Sequence, residues 1–180
     1  MDRCVRAVAC AVLLFLTACG GLRQAPRLDG GGGGAGGQPL TTLHAQVFKL
    51  IVRGEIPQAL EYYKLAVGVE QVPRWLLLMQ GAFSTANRVA GPCREVADDI
   101  YEAFKRLGQS PQIVRIWADG NTTRFLSWQG KIMMSNTNTH YAVMNAGRIY
   151  DAFTGPQGLA WAEYQALVHS YGALSYSPVP

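Results

Sequence analysis

The fold is organised around one stretch, Ala90-Gly91-Pro92-Cys93-Arg94-Glu95-Val96-Ala97. Apolar residues recur at helical spacing after this stretch, and they predict a helix over residues 94–107. The apolar stripe consists of Val96, Ile100, Phe104 and Leu107. Acidic residues in the first turns suit the positive end of the helix dipole, and Gly108 is a typical terminator. Cys93 therefore stands at the start of the best-defined helix in the chain.

Helical patterns come before this stretch, and strand patterns come after it. The spacing of apolar residues predicts helices over 40–53, 56–68 and 74–90. Beyond Pro111, short β-prone runs separated by turn residues predict strands at 113–117, 123–128 and 131–134 and a hairpin of 140–144 with 148–151. A loop at 154–158, a closing helix at 159–171 and an edge strand at 173–176 complete the prediction. Helices followed by strands indicate an α+β fold, with the N-terminal helices packed on an antiparallel sheet.

The first residues indicate export. Arg3 and Arg6 precede a short apolar run from 7 to 16, as in a signal peptide, and the run is too short for a permanent membrane span. The run ends in Leu16-Thr17-Ala18-Cys19, which resembles the bacterial lipobox. That resemblance implies a signal peptide over 1–18 and a lipid on Cys19; the alternative is an ordinary signal peptide that happens to contain a cysteine. Because Gly20 follows and not aspartate, we expect an outer-membrane protein that faces the periplasm.

Residues 19–38 are rich in glycine and predict a flexible tether, which leaves 39–180 as one folded domain. The formal net charge is only +4, and the basic residues are scattered without alternating aromatics. This pattern gives no indication of nucleic-acid binding. A membrane partner, through the lipid on Cys19, is expected instead.

Cys93 is the one cysteine that remains in the predicted domain, since Cys4 and Cys10 fall in the signal peptide and Cys19 in the lipobox. A lone cysteine is either a small buried hydrophobe or a reactive thiol. A helix N-terminus and a nearby imidazolium both favour the thiolate, which is the nucleophilic form. The first of these is predicted for Cys93 by its position.

His140 and Asp151 are the candidates to complete the chemistry. His140 begins one strand of the predicted hairpin, and pairing around the turn 145–147 places it opposite approximately position 152. Asp151 is therefore expected near His140, although a slip of one residue would reverse its face. Taken alone, His140 can be a surface histidine and Asp151 a turn residue. Together with Cys93 they are a nucleophile, a base and an orienting carboxylate.

Three short motifs resemble the papain-like superfamily, in particular its papain-fold toxin and transglutaminase-like branches. They are Gly91-Pro92-Cys93, His140-Tyr141-Ala142-Val143 and Tyr150-Asp151-Ala152-Phe153-Thr154-Gly155. The resemblance covers about residues 75–155. It implies acyl transfer through a thioester, with Cys93 as nucleophile, His140 as base and acid, Asp151 as orienter, a peptide or protein substrate, and no metal or organic cofactor. The sequence departs from papain at Asn87, where papain has a glutamine that helps to bind the oxyanion.

Other functions remain open at this point. The chain could be a non-catalytic envelope lipoprotein that acts as a binding or structural module. A cell-wall endopeptidase is a further alternative, although such enzymes usually pair the cysteine with two histidines and this chain offers Asp151.

Overall fold

The structure, a computed structural model, describes residues 40–120 and 125–180. The predicted signal peptide, the lipobox with Cys19 and the tether lie outside the described residues. In these ranges, no helix combines the length and the apolar character that crossing a membrane requires.

Helices make up the first half of the described chain and return once near its end. The four N-terminal helices are α1 (Leu40–Val52), α2 (Ile56–Val67), α3 (Arg74–Ala82) and α4 (Cys93–Arg106), and α5 (Trp161–Leu167) comes late in the chain. Gly68 ends α2 in a left-handed conformation, with its N–H donating to the carbonyl of Lys64. The prediction that the third helix reaches residue 90 was wrong. Ser84 accepts a hydrogen bond from the N–H of Ala86 and starts a separate 3-10 turn, Thr85–Asn87.

The strands form two antiparallel sheets where the sequence predicted one. The larger sheet contains β1 (Gln112–Ala118), β4 (Thr139–Asn145), β5 (Arg148–Tyr150), β6 (Leu159–Ala160) and β8 (Leu174–Pro178), in the order β6-β5-β4-β1-β8. The smaller sheet contains β2 (Leu126–Trp128), β3 (Ile132–Ser135) and β7 (Val168–His169), in the order β3-β2-β7. The strand predicted at 123–128 is β2, and positions 123 and 124 lie outside the described residues.

The C-terminal third differs most from the prediction. The expected closing helix over 159–171 is only as long as α5, because Leu159–Ala160 pairs with β5 before it and Val168–His169 pairs with β2 after it. The predicted edge strand at 173–176 corresponds to β8, which pairs with β1. Sheet pairing at both ends therefore overrides a helical pattern that extends beyond α5.

Apolar side chains on the two faces of the larger sheet belong to two separate cores. Alternation along the strands directs Ile113, Val143 and Tyr150 to the core that α1–α4 fill. Val114, Ile116, Ala142 and Ile149 face the other core, which α5 and the smaller sheet cover. The prediction of an α+β fold with N-terminal helices packed on an antiparallel sheet is confirmed.

Asn138 fixes the start of β4, two residues before His140. Its side-chain amide donates to the carbonyl of Ala118 at 2.8 Å, and its side-chain oxygen accepts from the N–H of Ala118 at 3.2 Å. The backbone φ of Asn138 is 58°, a left-handed value that asparagine tolerates better than most residues. The side chain thus replaces one step of the β1–β4 ladder and holds the strand that carries His140 against β1.

Candidate active site

The β4–β5 hairpin brings His140 and Asp151 to one face of the sheet. Its two turn residues, Ala146 and Gly147, both have positive φ, as tight hairpins with a right-handed twist require. Val143 pairs with Tyr150, so the register is shifted by one residue from the predicted one, and the prediction that places His140 opposite position 152 was wrong in register. Continued past Tyr150, the observed register places Asp151 opposite Ala142, on the same face as His140. The one-residue shift is therefore what makes the pair possible.

His140 and Asp151 form a buried ion-pair contact. Nε2 of His140 lies 2.9 Å from Oδ2 of Asp151, and each residue is 1% exposed. Water does not screen a pair at this depth, so its interaction is stronger than that of a surface pair.

The carboxylate of Asp151 is held on both oxygens. Oδ1 accepts the backbone N–H groups of Phe153 at 2.8 Å and Thr154 at 2.7 Å. Oδ2 accepts from His140 and from the Tyr164 hydroxyl, the latter at 3.3 Å. The backbone N–H of Asp151 in turn donates to Oγ1 of Thr154 at 2.9 Å. The turn after β5 thus fixes the direction of the carboxylate before His140 contacts it.

The environment of His140 favours the imidazolium. Burial by itself lowers the pKa of His140, but the hydrogen bond that it donates to Asp151, the contact with Cys93 and the negative charge of both groups outweigh it and raise the pKa to about 9. Nδ1 is buried and forms no hydrogen bond that meets the usual geometry, so it is the ring nitrogen left to interact with Cys93.

Cys93 is the first residue of α4, and its thiol is half-buried. Burial by itself raises the pKa of Cys93, but the hydrogen-bonding contact and the charge of His140 lower it, with help from the backbone of Tyr141 and Arg94. The net effect is a pKa below the ordinary thiol value. The structure therefore places Cys93, at the start of α4, within interaction range of His140 and pairs His140 with Asp151.

Two other residues predicted or overlooked at the site have structural contacts. Asn87 stands where papain has the glutamine that helps to bind the oxyanion, but its side-chain amide donates to the carbonyl of Gly81 at 2.9 Å and so closes the turn after α3. Arg88 was not singled out from the sequence. Its Nε donates to the carbonyl of Ala152 at 2.9 Å, which ties the segment before Cys93 to the loop after Asp151.

Tyr164 is the site residue that sequence analysis missed. It is the buried residue of α5, and the sequence predicts only a helix for that segment and no contact with Asp151. The contact depends on how α5 packs on the larger sheet, which local periodicity does not determine. No other signal in the sequence marks this tyrosine.

A cleft of about 370 Å³ opens at Cys93. Its walls include Arg94, Tyr141 and the polar segment Ser135, Asn136 and Thr137 between β3 and β4. Arg94, the one charged residue among its described lining residues, lies 5.3 Å above the Tyr141 ring and pairs with Asp98. The cleft leaves the half-buried thiol accessible from solvent.

Within residues 40–120 and 125–180, no group of three or more histidine, cysteine, aspartate or glutamate residues is arranged to hold a metal ion. Comparisons of the chain with models of protein families, with curated proteins and with solved structures found no match. Geometry and electrostatics alone therefore guide the functional assignment.

Proposed function

We propose that this protein is a lipid-anchored cysteine enzyme that transfers the acyl group of a peptide or protein amide through a thioester. The observation that carries the proposal is the buried His140–Asp151 pair, whose remaining ring nitrogen interacts with a thiol of lowered pKa at a helix N-terminus. Titratable groups whose pKa values are shifted by burial together with a specific charged partner are concentrated at functional sites. A cysteine on the helix that packs against the sheet carrying His140 also supports a papain-like arrangement.

The reaction that these groups support begins with the Cys93 thiolate. It attacks the amide carbonyl carbon and forms the C–S bond, and the carbonyl oxygen takes the negative charge. The backbone N–H of Cys93, at the start of α4, has no acceptor within the helix and is available to stabilise that charge, whereas the N–H of Val96 donates to the carbonyl of Pro92. His140 then donates its proton to the leaving nitrogen as the C–N bond breaks, which leaves a thioester on Cys93.

The second half of the reaction releases the acyl group. Water or an amine attacks the thioester, and His140 accepts the proton of the attacking group. The C–S bond breaks, and Cys93 returns to the thiolate with His140 protonated. Attack by water completes peptide hydrolysis or glutamine deamidation, whereas attack by an amine completes transfer.

The experiment is to incubate the full-length protein with a mixed peptide pool and an added primary amine, and to follow new amino termini, ammonia release and amine conjugates. At least one of these products should form and should be absent with Cys93→Ser, because a serine hydroxyl is not ionised by the same surroundings. Equal product with Cys93→Ser, or no product together with an unreactive Cys93 thiol, would overturn the proposal and favour a non-catalytic binding or structural module.

The anchor is proposed from the sequence alone: a lipid on Cys19 in the outer membrane, with the domain in the periplasm. The coil over residues 20–38, which follows Cys19, has a root-mean-square reach of roughly 25 Å, so substrates near the membrane surface are within range. Cys19→Ser should move the protein from the membrane fraction to the soluble fraction while Cys93 reactivity stays the same. A variant that remains in the membrane fraction contradicts the lipid on Cys19.

A further inference from the structure

The hydroxyl group of Tyr164 takes no part in the reaction described above, yet it contacts the centre of the site. The residue is fully buried, and its hydroxyl donates to Oδ2 of Asp151 at 3.3 Å. The same oxygen accepts from Nε2 of His140 at 2.9 Å, while Oδ1 is occupied by two backbone N–H groups. Tyr164 and His140 therefore share one carboxylate oxygen.

Two tryptophans restrict where the Tyr164 ring can lie. Trp161, on the same helix, stacks on it with ring centroids 5.8 Å apart, and Trp128 of β2 lies at the same centroid distance. Burial, followed by the negative charge of Asp151, raises the pKa of Tyr164 well above its usual value. The hydroxyl thus remains a donor throughout the pH range in which His140 titrates.

We propose that Tyr164 is a positioning residue, whose hydroxyl orients the Asp151 carboxylate and reduces the negative charge that His140 experiences from Oδ2. This inference rests on the proposed function, because the role of Tyr164 is to adjust the acid and base of that reaction. The titratable groups that face His140 are Asp151 and Cys93, and Tyr164 acts on His140 through Asp151.

Tyr164→Phe removes the hydroxyl that donates to Asp151. Without the hydroxyl, His140 is the only side-chain partner of Oδ2, so the pKa of His140 should rise by about half a unit, as expected for partial transmission of one hydrogen bond. An imidazolium that holds its proton more tightly is a weaker acid towards the leaving nitrogen, so acyl transfer should slow. A purely structural tyrosine would change the melting temperature without changing the titration.

The experiment is an NMR titration of the histidine rings in the full-length protein. The chain has three histidines, so His44 and His169 serve as internal references. Tyr150→Phe is the matched control. Tyr150 is also buried, with 3% of its surface exposed, and it packs on Phe104, but no hydrogen bond joins its side chain to Asp151. The His140 pKa should rise in Tyr164→Phe and stay unchanged in Tyr150→Phe.

A second measurement does not depend on the stability of the Tyr164→Phe variant. Incorporation of fluorotyrosine keeps the ring and the hydroxyl but makes the hydroxyl a stronger donor, so the His140 pKa should fall. If His140 titrates as in the unmodified protein in both experiments, the role proposed for Tyr164 is wrong even where Cys93 turns over peptides. If Cys93→Ser leaves turnover unchanged, the proposed function fails, and the titration still reports on Tyr164.

Discussion

Asp151→Ala should lower the free energy of unfolding by about 3–5 kcal/mol, the usual cost of removing one partner from a buried charged pair. The carboxylate accepts hydrogen bonds from His140, Tyr164 and the backbone N–H groups of Phe153 and Thr154. Alanine leaves all four donors without an acceptor at a position that water reaches poorly. Urea unfolding, followed by tryptophan fluorescence to which the buried Trp128 contributes, measures the change.

Asp151→Asn removes the charge of the carboxylate but keeps the shape of the side chain, so it separates these two effects. The amide oxygen can still accept the N–H groups of Phe153 and Thr154, so the turn after β5 should persist and stability should fall by less than in Asp151→Ala. The amide nitrogen then faces His140, which must accept with Nε2 and carry its proton on Nδ1. Neutral imidazole in this tautomer cannot take a proton from the thiol, so the pKa of Cys93 should rise and acyl transfer should be nearly abolished.

A small loss of stability in Asp151→Ala, within about 0.5 kcal/mol as for ordinary surface changes, would contradict the buried pair. Asp119→Ala is the control, because Asp119 is an exposed carboxylate outside the site. Its side chain accepts hydrogen bonds from Trp117 at 2.7 Å and from Ser175. Asp119→Ala therefore removes a carboxylate of similar chemistry from an exposed position, and its effect on the free energy of unfolding is the reference for Asp151→Ala.

Local signals in the sequence identify where α4 begins, but they do not fix the register of the β4–β5 hairpin. Cys93 was expected at a helix start because Gly91-Pro92 and the stripe from Val96 are local signals, and α4 begins at Cys93. The pairing of His140 with Asp151 depended on a register that the turn decides. Asn145-Ala146-Gly147 is compatible with a two-residue or a three-residue turn, and only the structure gives the two-residue form.

Tertiary contacts account for what the sequence did not reveal. The 159–171 segment has a helical pattern, but its ends are strands because β5 and β2 offer unpaired backbone groups there. That pairing shortens α5 and directs Tyr164 towards Asp151. Arg88 contacts Ala152, which lies 64 positions later in the sequence, and no periodic pattern predicts a contact at that separation.

His140→Gln should slow the alkylation of Cys93 by iodoacetamide at pH 6 by about 100-fold, the order expected when an activated thiolate becomes an ordinary thiol. Glutamine fills most of the space of the imidazole and can donate to Asp151, but it carries no charge. In the unmodified protein, His140 lowers the pKa of Cys93 from its ordinary value, and the pKa of His140 is raised to about 9. Both shifts favour a thiolate–imidazolium pair. The reaction is measured by mass spectrometry of the labelled Cys93 peptide.

The pH dependence gives a second measure of the same pair. As pH falls through the lowered pKa of Cys93, the thiolate gains a proton and alkylation slows. As pH rises through about 9, His140 loses its proton, so alkylation continues while acyl transfer declines because the acid for the leaving nitrogen is gone. In His140→Gln, the low-pH reactivity should disappear and alkylation should rise only near the ordinary thiol pKa.

Equal alkylation rates at pH 6 in the unmodified protein and His140→Gln would contradict activation of the thiol by His140. The reactivity of Cys93 would then come from the N-terminus of α4 or from no activating group. His169→Gln is the matched control, since His169 is an exposed histidine on β7. This variant should leave the profile unchanged.

Because Asp151 acts on Cys93 only through His140, Asp151→Asn should shift the profile in the same direction as His140→Gln. The double variant should be no slower than His140→Gln alone. Additive effects of the two substitutions would instead mean that Asp151 and His140 do not act on the thiol as one unit.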